Sequence, residues 1–123
     1  MITVTTEKLP APIGPYSAAK ISNGLLFVSG QTGSDPVRGG LAGDDISSQT
    51  EQVMKNIAVI LEAAGSSFEK VVKTTCFLAD IGDFAEFNRI YAQYFTGKPA
   101  RSCFAVKSLP LNALVEVELI AEV

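Results

Sequence analysis

Pro99-Ala100-Arg101-Ser102-Cys103-Phe104-Ala105-Val106, followed beyond a Leu109-Pro110 turn by Val115-Glu116-Val117-Glu118-Leu119-Ile120-Ala121, sets an arginine and two carboxylates into strands that otherwise read as core. Side chains alternate between the two faces of a strand. Arg101, Cys103 and Ala105 therefore share one side of the first strand, and Ser102, Phe104 and Val106 the other. In the second strand Val115, Val117 and Leu119 share a face, so Glu116 and Glu118 point the opposite way. Pairing of the two strands across a turn at residues 108–113 would put a guanidinium and a carboxylate on one wall of the sheet. Arginine grips planar carboxylates with two parallel hydrogen bonds, and a neighbouring glutamate can handle a proton. Taken without its surroundings, the same pair reads as a surface ion pair.

Working outward, the segments on either side supply the rest of the sheet and its cover. Phe84, Phe87, Tyr91 and Tyr94 recur at helical spacing between about Asp83 and Phe95, where Gly97 and Pro99 end the helix, and this aromatic stripe reads as core. Val71 to Ala79 is rich in β-branched residues and reads as a strand. A first helix spans about Ile46 to Ala64, with Ser48 and Glu51 as a capping box and Gly65 as its C-terminal stop. Residues 30–44 are rich in glycine and read as an exposed loop. Asn23-Gly24 joins two short apolar strands as a hairpin, and the first five residues add a further strand. Pro10, Pro12 and Pro15 stiffen the segment that delivers Tyr16 to the sheet edge. The order of strands, helix, strand, helix and two strands makes an α+β sandwich in which two helices cover one sheet face. Arg101, Cys103, Glu116 and Glu118 are then expected on the other face, packed against further copies of the chain with polar clefts between them.

Composition narrows the chemistry. The 123 residues suit one domain spanning 1–123, and a mean hydropathy of +0.27 is high for a small monomer, which points to an oligomer. The net charge of −3, with ten scattered basic residues, offers no electrostatic footprint for nucleic acid, and no nucleic-acid partner is expected. No apolar run reaches membrane-spanning length and no leader pattern opens the chain, so a cytoplasmic protein is expected. Histidine is absent, which removes histidine triads and histidine general bases. Cys76 and Cys103 fit neither a zinc knuckle nor a CxxC redox pair, and no phosphate-binding glycine loop is present. No metal or cofactor is expected.

The ordered motifs Ala11-Pro12-Ile13-Gly14-Pro15-Tyr16-Ser17, Phe27-Val28-Ser29-Gly30-Gln31, Gln49-Thr50 with Asn56, Val71 to Leu78, Phe84-Ala85-Glu86-Phe87-Asn88, Pro99 to Cys103 and Val115 to Glu118 resemble the RidA/YjgF family of reactive intermediate deaminases, a family that also carries the endoribonuclease L-PSP name. The resemblance implies a chorismate-mutase-like two-layer sandwich, with about six strands in a mixed sheet and two helices on one face. It implies a homotrimer with intersubunit clefts, acting on small 2-imino acids such as 2-iminobutanoate and 2-iminopropanoate to release 2-oxo acids and ammonia. On this reading Arg101 binds the substrate carboxylate, Cys103 offers its backbone groups to the imine end, and Glu116 orients or activates water. Tyr16, Ser29, Gly30 and Asn88 match further residues around the cleft, and Glu118 is structural. The connection Thr96-Gly97-Lys98 is shorter than in many relatives.

Each residue also has a plain structural reading. Tyr16 can be a packed aromatic, Ser29 a strand-end turn residue, and Asn88 a helix residue bonded to loop backbone. Two other functions stand beside the deaminase: an endoribonuclease or translation inhibitor, and a non-catalytic 2-oxo acid-binding or chaperone-like trimer.

Overall fold

Asn23 and Gly24 both adopt positive φ, 52° and 78°, the geometry a two-residue hairpin turn requires. The computed structural model describes residues 1–123. The turn joins β2 (Ala19–Ser22) to β3 (Leu25–Thr32), and β1 (Ile2–Val4) pairs with the outer side of β2. α1 (Ile46–Ala64), β4 (Val71–Leu78), α2 (Phe84–Tyr94), β5 (Ala100–Ala105) and β6 (Val115–Glu122) follow. The six strands form one sheet in the order β1-β2-β3-β6-β4-β5.

β5 and β6 do not form the hairpin expected from their proximity in sequence. β5 lies parallel to β4, and β6 runs antiparallel between β3 and β4. A parallel pair needs a crossover, and α2 provides it between β4 and β5. The chain after β5 must then pass over β4 to reach the centre of the sheet. Leu111 and Asn112 take left-handed conformations in that passage, at φ 62° and 54°. A tight hairpin between β5 and β6 is thereby ruled out, because a strand already lies between them.

One face of the sheet is covered by both helices. Leu26 and Val28 of β3, Cys76 and Leu78 of β4, and Val115, Val117, Leu119 and Ala121 of β6 are buried there. They meet Val53, Met54, Ile57, Ile60 and Leu61 of α1 and Phe87 and Ile90 of α2. Each fully buried side chain of this kind contributes about 1.5–3 kcal/mol relative to exposure. The opposite face has no covering element and shows Phe27 at 43% and Phe104 at 45% exposure.

α1 has the expected limits but a different cap. Asp45 is the N-cap, its carboxylate accepting from the Ser48 N–H at 2.9 Å and from the Ser48 hydroxyl at 2.8 Å. Glu51 instead accepts from the Tyr94 hydroxyl at 2.6 Å, tying α1 to α2. Gly65 ends the helix in the left-handed region at φ 76°. The glycine-rich stretch is shorter than expected because β3 continues to Thr32, and what remains is fastened to α1. Asn56 donates to the Ser34 carbonyl at 2.9 Å. Buried Gln49 donates to the Gly43 carbonyl and accepts from the Leu114 N–H, both at 2.8 Å.

Gln49→Ala would open a gap in the core and leave the half-buried Gly43 carbonyl and Leu114 N–H without their side-chain partner. It should lower unfolding free energy by about 2–4 kcal/mol, read from urea denaturation at fixed protomer concentration.

Candidate active site

Arg101 faces the helices. Its register partner on β4 is Thr74, which is fully buried, and its guanidinium reaches α2. Nη1 donates to Asn88 Oδ1 at 2.7 Å. The guanidinium carbon lies 4.8 Å from the Tyr91 ring centroid and 5.5 Å from that of Phe84. Residues 84, 88 and 91 recur at i, i+4 and i+7, so one stripe of α2 forms this cradle. No carboxylate of the chain pairs with Arg101, since the one ion pair joins Arg89 to Glu86. The guanidinium is half-buried with donors to spare, an arrangement suited to a planar carboxylate.

Cys103 lies two residues along the same face, beside Cys76 of β4. Both thiols are free. Burial pushes the Cys76 thiol up to about 12 and raises that of Cys103 as well. Neither has the low pKa of an activated nucleophile.

Glu116 lies on the uncovered face. It sits opposite Thr32 of β3 and Phe77 of β4, while its neighbours Val115 and Val117 point into the core. Burial, with a smaller push from Glu118, holds its carboxyl above the usual range. Gly30 gives it room: a Cβ at that position would stand 2.8 Å from Glu116 Cδ. The register of β3 slips between Val28 and Gln31, which sets Gly30 against the carboxylate. Ser29 donates its hydroxyl to the Ser17 carbonyl at 2.6 Å, and its N–H bonds Ala18 at 2.9 Å. These bonds hold the Tyr16 segment over a concavity of about 450 Å³, lined also by Lys73, Thr75 and Glu118. Tyr16 itself is 59% exposed.

The structure therefore divides the expected site. Arg101, Asn88 and Cys103 form one group on the helix side, whereas on the uncovered side Gly30 meets Glu116, and Tyr16 and Ser29 line the concavity with Glu118. Arg101 does not share a wall with Glu116, because the strand between β5 and β6 fixes their side chains on opposite faces. Three residues of strand at about 3.3 Å and two strand spacings of about 4.8 Å separate their Cα atoms by roughly 14 Å.

The endoribonuclease L-PSP family model matches residues 6–123. The chain belongs to the RidA/YjgF family. A Lactococcus lactis protein carrying the regulator name AldR is 53% identical, with 100% of this chain and 98% of that protein covered. The chloroplastic Reactive Intermediate Deaminase A of Arabidopsis thaliana is 50% identical over 96% of this chain and 64% of its own length. The human 2-iminobutanoate/2-iminopropanoate deaminase is 44% identical over 96% of this chain and 87% of that protein. A crystal structure from Entamoeba histolytica, carrying the endoribonuclease L-PSP name, superposes with a TM-score of 0.95 at 53% identity, covering 99% of this chain and 98% of that one.

In this RidA/YjgF chain, sequence reasoning missed Phe84, Tyr91 and Thr74 as neighbours of Arg101. The aromatic stripe was visible but read only as core. Asn88 on the same stripe was the available signal, because a polar residue between two aromatics at helical spacing marks a face that meets something charged.

Gly30→Ala should displace the Glu116 carboxylate while leaving the backbone intact, since the atoms it meets belong to the end of a flexible side chain. The expected outcome is an unfolding free energy within about 1 kcal/mol of the parent, with loss of any activity that uses Glu116. Folding raises the Glu116 pKa, so this residue costs nothing at a pH where both folded and unfolded chains are protonated. The cost appears as pH rises from about 4.3, the unfolded value, through the folded one. Glu116→Gln should therefore gain stability relative to the parent across that rise, measured by urea titrations at a series of pH values.

Proposed function

We propose that this chain is a deaminase of small 2-imino acids, hydrolysing species such as 2-iminobutanoate and 2-iminopropanoate to 2-oxo acids and ammonia without a metal or cofactor. The observation that carries this reading is the guanidinium of Arg101, half-buried, stacked on aromatic rings and without a carboxylate of its own chain. The reactive intermediate deaminase and 2-iminobutanoate/2-iminopropanoate deaminase names of relatives support the same chemistry.

The substrate carboxylate docks on Arg101, and the backbone N–H and C=O of Cys103 receive the imine end. Glu116, Tyr16, Ser29 and Gly30 come from a second copy, whose uncovered face meets the Arg101 edge in a homotrimer. Glu116 orients a water toward the imine carbon. Addition of that water gives a carbinolamine; proton transfer to its nitrogen lets ammonia leave, and the oxygen remains as the 2-oxo group. Its raised pKa brings the Glu116 carboxyl nearer to working pH, which suits a proton relay. Imine hydrolysis proceeds in water unaided, so positioning and one proton relay meet the demand without histidine. The setting in this reading is the cytoplasm; no helix is long and apolar enough to cross a membrane.

The test generates 2-iminopropanoate or 2-iminobutanoate in situ and follows 2-oxo acid release. Wild type should accelerate hydrolysis and Arg101→Ala should lose about 100-fold or more of that effect. Tight 2-oxo acid binding without any acceleration would instead make the protein a binding module. Oligomers assembled from equal amounts of Arg101→Ala and Glu116→Gln chains should recover about a quarter of wild-type activity, because one interface in four then joins an intact arginine to an intact glutamate. A mixture as inactive as either parent would sink the two-copy site.

A further inference from the structure

Tyr91 is among the most buried polar side chains in the chain, at 8% exposure, and its surroundings form a closed circuit with Arg101. The ring lies beneath the guanidinium, 4.8 Å from centroid to Cζ. The hydroxyl shares a 2.7 Å hydrogen bond with Thr74 Oγ1. Thr74 is in turn the strand partner of Arg101 across the parallel β4–β5 ladder. The ring also stacks on Phe95 at 4.3 Å and 26°. The Phe87 ring packs against it at a tilt, 5.6 Å between centroids and 47° between planes. The ring therefore has little freedom to tilt.

We infer that Tyr91, locked by Thr74, is a positioning residue that fixes the guanidinium plane of Arg101 for two-pronged carboxylate capture. This rests on the reading of Arg101 as the carboxylate anchor. An arginine side chain is rich in rotamers, and a two-pronged contact is strong only if its plane is already set. Asn88 holds one nitrogen at a single point, which leaves rotation about that hydrogen bond. An aromatic face beneath the guanidinium removes that freedom and leaves the outer edge to the ligand. The Thr74 hydroxyl is needed for a separate reason. Without a partner the buried phenol would carry an unpaired hydroxyl, and the ring would shift to find one. Thr74 also accepts from the Cys76 thiol at 3.7 Å, which steadies its own rotamer.

Two variants separate the ring from its hydroxyl. Tyr91→Leu removes the face. Tyr91→Phe combined with Thr74→Val removes the hydrogen bond without stranding either buried hydroxyl. Tyr91→Leu should raise KM for 2-iminopropanoate about 10-fold, weaken 2-oxobutanoate binding by a similar factor, and leave kcat within about 2-fold. The Tyr91→Phe, Thr74→Val pair should raise KM by only about 2- to 3-fold. In the double variant with Arg101→Ala, Tyr91→Leu should add no further loss of ligand affinity, because its effect passes through the arginine. The Arg101 Nε–H resonance, assigned by its disappearance in Arg101→Lys, should show a lower order parameter in Tyr91→Leu without any ligand. That readout is independent of the proposed activity. A lower order parameter with no imine turnover in wild type would retain the positioning and overturn the deaminase. If Tyr91→Leu lowers thermal stability but leaves KM and the Arg101 order parameter unchanged, Tyr91 is a core residue and the inference fails. Should Tyr91→Leu not fold, an unchanged Arg101 resonance and KM in the Tyr91→Phe, Thr74→Val pair would overturn it.

Discussion

β6 holds the molecule together, because it pairs on both sides and separates two environments along its length. Val115, Val117, Leu119 and Ala121 are buried against the helices, and Glu116, Glu118 and Ile120 alternate with them onto the uncovered face. A slip of one residue would turn three carboxylates, those of Glu116, Glu118 and Glu122, toward the core and expose four apolar side chains, so the register is strongly specified. The position of Glu116 follows from packing on the other side of its own strand. The same constraint keeps it away from Arg101, whose face is set by Thr74 through the β4–β5 ladder. A sheet with these two ladders cannot bring both groups to one side within a single copy. The division of the candidate site is a consequence of strand order.

Much of this was legible in the sequence. Asn23-Gly24 identified the hairpin because few residue pairs accept two successive positive φ values. The alternation of valines with glutamates in β6 and the apolar spacing of α1 also identified their elements. Strand order was not legible, because nothing local to β5 or β6 records that β4 lies between them. The expected β5–β6 hairpin came from nearness along the chain, and the site geometry inherited that error. The capping box at Ser48 and Glu51 failed for a related reason: Asp45, three residues earlier, is an equally good cap, and Glu51 has a distant partner in Tyr94.

The sequence offers candidates for the site but not their arrangement. Arg101 and Glu116 stood out because charged residues in strands need partners. Asn88 joins Arg101 directly, and Gly30 lies against Glu116, two contacts that only the folded chain shows. The aromatic neighbours were hidden because burial and function make the same demand on them. Tyr91 packs against Phe87 and Phe95 and stacks beneath the guanidinium with one ring, so a hydropathy pattern registers only the first role.

The short connection after α2 bears on how firmly that cradle is held. Thr96-Gly97-Lys98 links the helix carrying Phe84, Asn88 and Tyr91 to the strand carrying Arg101. A Cβ on Gly97 would stand 3.3 Å from the backbone oxygen of Glu69, so the turn presses against the entry to β4. The Lys98 N–H returns to the Phe95 carbonyl at 3.2 Å, and Lys98 occupies the left-handed region at φ 52°. A linker this short and this pinned leaves β5 little freedom to slide along α2. The relation between the arginine and its aromatic stripe is set by local chain geometry as well as by packing, and a longer linker would leave that relation to packing alone.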